Sequence, residues 1–213
     1  MRNHGQSPHS STFNYMVMAE DIHQFIKEHQ LKNPILIGHS MGGKVAMQYA
    51  LDYPEIIKKL VVIDISMRKY ADRQQHINMI TSMQQIDFSQ VSTRQEIEDI
   101  LIPLIPSKSI RLFVMKNLDR IDKKTFCWRL NLDAIYQNLD LIFEGVHHDE
   151  ASDIPTLFVK GGKSDYIEDT DLPKIEKHFP NAQLKVIEDA THWVHTDAPE
   201  TLYRMLNEFL SDS

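Results

Sequence analysis

The sequence has a single cysteine, Cys127, and therefore cannot form an intramolecular disulfide. A lone thiol in an apolar stretch is typical of a small core residue and of a reducing compartment. No apolar run approaches the ~18 residues that a transmembrane helix needs. Residues 1–5 (MRNHG) also lack the apolar segment of a secretory signal. We therefore expect a cytoplasmic protein with no membrane partner.

Basic patches, internal repeats and low-complexity tracts are missing as well. A net charge of −7 without a basic patch argues against nucleic acid as a partner. The hydrophobic content of 42% and charged content of 25% are ordinary for a soluble globular protein. A length of 213 residues suits one domain with an insertion, or two small domains.

A G-x-S-x-G motif at residues 38–42 is the strongest signal for chemistry. The short apolar run at residues 35–37 predicts a strand before it, and apolar spacing at residues 45–50 predicts a helix after it. A sharp strand-to-helix turn holds a serine in a strained conformation above the sheet. The motif therefore predicts that Ser40 is a nucleophile and that the amide of Met41 stabilises an oxyanion. It also predicts that the glycines two positions before and after the serine tolerate little else.

Strand and helix patterns alternate at both ends of the chain, which predicts an α/β fold with a mostly parallel sheet flanked by helices. The predicted strands are residues 35–37, 59–65, 155–159 and 183–187. The predicted helices are residues 13–31, 41–52, 171–178 and 199–210.

The middle of the chain has a different character. Residues 66–152 contain one glycine, Gly145, and apolar stripes at helical spacing, one of which runs to Leu118. We interpret this stretch as an all-helical cap, with residues 126–130 extended. The α/β core then comprises residues 1–65 and 153–213.

A base and an orienting acid must accompany a nucleophilic serine. In parallel sheets, reactive groups gather beyond the carboxyl ends of the strands. Where the nucleophilic serine lies on such a strand-to-helix turn, the chain order is Ser, acid, His. His192, after the last predicted strand, is the best-placed base. Asp165 follows the third strand, the commoner place for the acid in this fold. Asp64 ends an apolar run, where a carboxylate is costly without a partner, and the residues alone leave both acids open.

Three aromatic side chains near these positions, His39, Trp193 and His195, are predicted to line the substrate pocket. His195 fits the role of base less well because it starts the approach to the final helix. His192 and His195 form an HxxH pair, but a zinc site built on this pair with Asp197 lacks a helical frame and further ligands. The same holds for a zinc site on residues 147–150. We therefore predict no metal.

Four ordered motifs resemble the α/β-hydrolase superfamily, and within it the small cytoplasmic YbfF-like esterases and their eukaryotic abhydrolase relatives. They are RNHGQS at 2–7, GHSMGGK at 38–44, VIDI at 62–65 and HWVH at 192–195. The resemblance implies an acyl-ester or thioester hydrolase with a helical cap and no cofactor. It implies that Asp64 is the triad acid, because the loop matching Asp165 often lacks an acid in that subfamily. It also makes Asp133, on a predicted cap helix, a third candidate.

The chain departs from these relatives at two places. They usually have glycine at the position of Thr191. They also carry about fifty further residues before the one matching Met1, with the first strands and a His-Gly loop that supplies a second oxyanion amide. For residues 1–213 alone we therefore expect a partial α/β-hydrolase fold. Loss of one oxyanion donor typically costs about 10²–10³ in rate, so we expect a shortened gene model or a weak or inactive remnant.

The sequence thus predicts a serine esterase or thioesterase that forms an acyl-enzyme on a small-molecule substrate. One alternative is a catalytically impaired hydrolase fold that acts as a binding protein. Another is a different cofactor-free activity of the same fold, such as a C–C hydrolase or a perhydrolase, because cap residues choose the substrate.

Overall fold

The computed structural model describes residues 1–122 and 125–211. The chain divides into two compact units, which are described one at a time. The helical unit comprises Met1–Asn14 and the described part of Tyr70–Phe143. The sheet unit comprises Tyr15–Lys69 and the described residues from Glu144 onward.

Strands and helices are numbered along the chain. The strands are β1 (Ile35–His39), β2 (Lys59–Ile63), β3 (Leu118–Arg120), β4 (Phe126–Trp128), β5 (Thr156–Gly161) and β6 (Ala182–Ile187). The α-helices are α1 (Tyr15–Glu28), α2 (Met41–Asp52), α3 (Gln74–Gln84), α4 (Arg94–Leu104), α5 (Lys108–Met115), α6 (Leu132–Gln137), α7 (Leu139–Phe143), α8 (Leu172–His178), α9 (Val194–Asp197) and α10 (Pro199–Ser211). A short 3₁₀ turn, Asp169–Asp171, precedes α8. Across residues 1–122 and 125–211, no helix is both long and apolar enough to cross a bilayer.

The sheet unit is built on four parallel strands in the order β1-β2-β5-β6. The predicted parallel sheet with flanking helices is confirmed. All five residues of β2 are buried, as expected for a strand that is covered on both faces. β1 lies at one edge of the described sheet, and Ile35 and Ile37 on it are exposed. This order brings the carboxyl ends of β1, β2, β5 and β6 to one edge of the sheet, and the candidate residues follow these strands.

Helices and strands of the sheet unit share an apolar core. α2 packs on β1 and β2, and α1 packs on α2. Side chains of β2 and β5 pack with α9 and α10 in a cluster that buries Val61, Ile63, Leu157, Val159, Val194, Leu202 and Phe209. The final predicted helix is therefore fixed to the sheet by its apolar stripe.

The helical unit contains α3 to α7 and an antiparallel pair, β3 and β4. The prediction of an all-helical insertion with residues 126–130 extended is wrong at β3. Leu118 was expected on a helical stripe, but α5 ends at Met115 and Leu118 instead pairs with Trp128. Bulky aromatic residues favour extended backbone, and the indole Nε1–H of Trp128 donates to the carbonyl of Met83 at 2.9 Å. The extended prediction for residues 126–130 agrees with β4, on which Cys127 is partly buried.

The first fourteen residues group with the helical unit rather than with the sheet. The backbone N–H of Gly5 donates to the carbonyl of Arg129 at 2.9 Å, and the N–H of Asn131 donates to the carbonyl of Asn3 at 3.0 Å. Asn3 is fully buried and adopts a φ of 63°, which asparagine tolerates better than most residues. These bonds explain why residues 1–14, predicted as part of the core, belong to the helical unit. At the other boundaries, residues 66–69 and 144–152, predicted as cap, belong to the sheet unit. The assignment of an α/β-hydrolase core and a helical cap stays a prediction.

Candidate active site

Ser40 lies at the turn between β1 and α2 with φ 54° and ψ −125°. A positive φ is uncommon for a residue with a side chain and costs free energy, so the surrounding bonds must hold it. The N–H of Ser40 donates to the carbonyl of Ile63 at 3.0 Å. Its own carbonyl accepts from the N–H groups of Gly43 at 2.8 Å and Lys44 at 3.2 Å. The sheet on one side and the first turn of α2 on the other thus fix the strained residue.

Close packing at this turn explains two of its glycines. A Cβ on Gly38 would lie 2.3 Å from the carbonyl oxygen of Gly42, and a Cβ on Gly43 would lie 2.6 Å from Cγ2 of Ile65. At Gly42 a Cβ would meet nothing within 4 Å. The prediction that Gly42 tolerates little beyond glycine is therefore wrong, because the helix approaches the sheet one residue later, at Gly43.

Met41 is the first residue of α2. The N–H groups of a first helical turn have no acceptor within their own helix, and the positive end of the helix dipole lies there. The position next to Ser40 is thus where an amide could meet an anionic oxygen.

His192 lies between Ser40 and Asp64. Its Nε2 is 3.0 Å from the Oγ of Ser40, and its Nδ1 is 2.8 Å from an Oδ of Asp64. With the Nδ1–H donated to the carboxylate, Nε2 is left to accept the serine hydroxyl, which is the geometry of a general base. The structure therefore brings together a hydroxyl, an imidazole and a carboxylate that are far apart in the chain.

The Asp64 carboxylate is fully buried and accepts several hydrogen bonds. One oxygen accepts the N–H of Gly161 at 2.8 Å, and the other accepts the hydroxyl of Ser164 at 2.5 Å as well as His192. Asp64 has a φ of 50°, and its N–H donates to the carbonyl of Val159 at 2.8 Å. The cost of burying this carboxylate is thus offset by donors from β5 and the loop after it.

The two other candidate acids have different surroundings. Asp165 is exposed, and its backbone carbonyl accepts from the guanidinium of Arg68 at 2.5 Å. Within the described residues, its carboxylate makes no hydrogen bond or ion pair. Asp133 belongs to the helical unit, where its Oδ1 accepts from the side-chain amide of Gln84 at 2.8 Å. The structure therefore joins Asp64, and not Asp165, to His192.

The loop after β5 contributes side chains that the sequence analysis did not single out. Ser164 donates to Asp64, and the ring of Tyr166 stacks on the imidazole of His192, with centroids 3.9 Å apart and an interplanar angle of 20°. Glu168, on the same loop, forms an ion pair with Arg68, which follows β2, at 2.8 Å. The prediction identified this loop through Asp165, but the contacts come from its neighbours.

The predicted pocket residues surround the His192 loop. His39 donates its Nε2–H to the backbone carbonyl of His192 at 2.8 Å. The rings of Trp193 and His195 have centroids 6.1 and 5.0 Å from that of His39. Burial is the main cause that lowers the pKa of His39 to about 4. That these three residues contact a substrate stays a prediction.

Asp197, which together with His192 and His195 raised the question of a metal site, is the last residue of α9 and bonds to Thr191 before that helix. Its carboxylate accepts from the N–H of Thr191 at 2.8 Å and from the Thr191 hydroxyl at 2.5 Å. These bonds lower the pKa of Asp197. In the part of the chain that the structure describes, no three His, Cys, Asp or Glu side chains form a metal-binding group.

Comparison with known proteins gives the family. Residues 1–98 match the family model described as alpha/beta hydrolase fold. The chain is 36% identical to the sn-1-specific diacylglycerol lipase ABHD11 of Danio rerio, covering 98% of this chain and 67% of that protein. It is 32% identical to the esterase YbfF of Escherichia coli, covering 100% of this chain and 81% of that protein.

A solved structure described as a marine microorganism esterase shares the fold closely. The TM-score is 0.94 at 40% identity, covering 98% of this chain and 82% of that one. The chain thus spans about two thirds to four fifths of the length of these relatives. On its sequence and its sheet topology, the chain belongs to the α/β-hydrolase superfamily and resembles the YbfF-like esterases.

Proposed function

We propose that this chain is a serine esterase that cleaves acyl esters or thioesters through an acyl-enzyme on Ser40. The observation that carries the proposal is the hydrogen-bonded series from the Ser40 hydroxyl through His192 to Asp64, with separations of 3.0 and 2.8 Å. A hydroxyl is a weak nucleophile until a base takes its proton, and His192 is within reach to do so. The named esterase and lipase relatives support the same reaction class.

The first half-reaction transfers the acyl group to the enzyme. The Oγ of Ser40 attacks the ester carbonyl while its proton passes to Nε2 of His192. The carbonyl oxygen becomes an oxyanion, which the Met41 amide at the start of α2 stabilises. When the carbon–oxygen or carbon–sulfur bond breaks, the imidazolium returns the proton to the leaving alcohol or thiol.

The second half-reaction frees the acid. His192 takes a proton from water, and the resulting hydroxide equivalent attacks the acyl carbon. The proton then returns to the Ser40 oxygen as the acid leaves. In both halves Asp64 holds the Nδ1–H tautomer of His192 and stabilises the imidazolium, since the carboxylate lies 2.8 Å away.

The names of the relatives indicate the substrate class to test first. One is named as an sn-1-specific diacylglycerol lipase and another as an esterase, so acyl esters of alcohols, glycerol included, are the first substrates to test. A binding protein would fail to turn over any of them. A C–C hydrolase or perhydrolase would depend on Ser40 but prefer other substrates.

The test is turnover of p-nitrophenyl esters of graded acyl length by the wild type and by Ser40→Ala. We expect Ser40→Ala to lose activity by a factor of about 10³ or more, because removal of a triad nucleophile leaves only binding and oxyanion stabilisation. Equal rates in the two proteins would overturn the proposal. A melting curve for each variant shows that the fold is intact.

A further inference from the structure

We infer that His39 is a positioning residue that holds the His192 loop in register with the Ser40 hydroxyl. The inference rests on the proposed function, since a displaced His192 has a kinetic consequence only if it is the base. The key contact is the bond from His39 Nε2–H to the backbone carbonyl of His192, 2.8 Å long and spanning 153 positions in the chain. This role differs from the substrate contact that the sequence predicted for His39.

The two ends of this bond differ in rigidity. His39 is the last residue of β1, paired with Ile63 on β2, so the sheet fixes its backbone. His192 lies between β6 and α9, outside any strand or helix. The His39 donor on a rigid strand therefore fixes the His192 carbonyl, which lies in a segment without the regular backbone hydrogen bonds of a strand or helix.

The other contacts of this loop hold different atoms. Thr191 bonds to Asp197 within the same segment, and the carbonyl of Ala190 accepts from the N–H of Lys163 at 2.9 Å. Tyr166 stacks on one face of the imidazole. His39 bonds to the main chain of His192 itself, and so determines the position from which the imidazole extends. A displacement of about 1 Å at a reacting group can cost about 10²-fold in rate.

The protonation of the two histidines is complementary. His192 presents Nδ1–H to Asp64 and a bare Nε2 to Ser40, whereas His39 presents Nε2–H to a carbonyl. Burial is the largest cause that lowers the pKa of His39 to about 4, and the nearby His192 and His195 lower it further. The bond to the His192 carbonyl and the carboxylate of Asp64 act in the opposite direction. A neutral His39 keeps its one donor at neutral pH and adds no positive charge against the imidazolium that forms on His192.

Two variants separate a positioning role from a substrate contact. H39L removes the donor, and H39Q keeps an N–H at a similar distance from the main chain. With p-nitrophenyl acetate we expect H39L to lower kcat by about 10- to 100-fold with little change in KM, and H39Q to recover most of that loss. A rise in KM at unchanged kcat, or an equal loss of kcat in both variants, would overturn the inference.

A second measurement keeps this test apart from that of the proposed function. If Ser40→Ala retains the wild-type rate, the proposed function fails, and the His39 bond is then judged by ¹⁵N NMR of the histidine rings. We expect a neutral His39 with its proton on Nε2 at neutral pH, and slower hydrogen exchange across residues 190–195 in wild type than in H39L. A proton on Nδ1, or identical exchange in the two proteins, would refute the bond.

Discussion

Replacing Asp64 by asparagine changes one oxygen to an amino group at the centre of the hydrogen-bonded series. One carboxylate oxygen accepts the N–H of Gly161, and the other accepts both Ser164 and His192. An asparagine can keep the Gly161 bond only by placing its oxygen there, because the opposite orientation sets two donors against each other. Its amino group then faces Nδ1 of His192.

This orientation has a defined consequence for the base. A donor opposite Nδ1 favours the tautomer with its proton on Nε2, and that nitrogen can no longer accept the proton of Ser40, 3.0 Å away. In a Ser-His-Asp triad the equivalent change lowers kcat by about 10⁴. We expect a loss of about 10³–10⁴ in kcat for Asp64→Asn, with a smaller change in KM.

The assay is steady-state hydrolysis of p-nitrophenyl acetate, with Asp165→Asn as the matched control. Asp165 is exposed, and its carboxylate makes no bond among the described residues, so we expect less than about a two-fold change there. An Asp64→Asn protein that keeps a tenth of its kcat would refute the reasoning, as would an equal loss in Asp165→Asn. Circular dichroism of both variants checks that they fold.

Three further predictions concern stability, measured by urea unfolding. Gly43→Ala brings a Cβ to 2.6 Å from Ile65 and should lower the free energy of unfolding by about 1–3 kcal/mol. Gly42→Ala meets open space and should raise the free energy of unfolding by up to about 1 kcal/mol. Equal effects of the two substitutions would contradict this. The pKa of His39 is lowered to about 4 from 6.5, so between these pH values the unfolded state binds one more proton than the folded state. As the pH falls from 6.5 to 4, the free energy of unfolding of the wild type should therefore fall by up to about 3 kcal/mol relative to that of H39Q. Burial of Lys44 lowers its pKa to about 7 from 10.5, so the unfolded state again binds more protons and wild type should gain stability relative to K44M as the pH rises from 7 to 10.5. Parallel pH curves for wild type and variant would contradict either of the last two.

The positions of Ser40, Asp64 and His192 could be predicted because each follows a strand in a repeating βα pattern. Parallel strands share one carboxyl edge, so the chain order alone places the three residues at the same edge. The cost of an unpaired carboxylate in an apolar run made Asp64 a candidate, and the family resemblance favoured it over Asp165. The structure buries Asp64 with donors on both oxygens. Their catalytic roles stay predictions until the variants are measured.

The contacts from the loop after β5 could not be predicted. Which of Ser164, Asp165 and Tyr166 turns towards His192 depends on the φ and ψ of each residue in an irregular loop, and no periodicity encodes those angles. The same limit applies to the contact that His39 makes. Its neighbour Ser40 suggested a pocket, but its partner is a backbone carbonyl 153 positions away.

The antiparallel pair in the helical unit illustrates a different limit. Residues 110–118 carry apolar spacing that fits a helix, yet the helix ends at Met115 and Leu118 joins a strand. Pairing with Trp128, ten residues further along the chain, decides the outcome. Tertiary pairing of this kind overrides local helical spacing.

The central claim is that His192 activates the hydroxyl of Ser40, and covalent labelling with a fluorophosphonate, mapped by mass spectrometry, tests it most directly. We expect one adduct, on Ser40, and a labelling rate at least about 10²-fold lower in His192→Gln, because an unactivated hydroxyl reacts slowly with such probes. An adduct elsewhere, no adduct on the folded protein, or the same rate in His192→Gln would contradict the account.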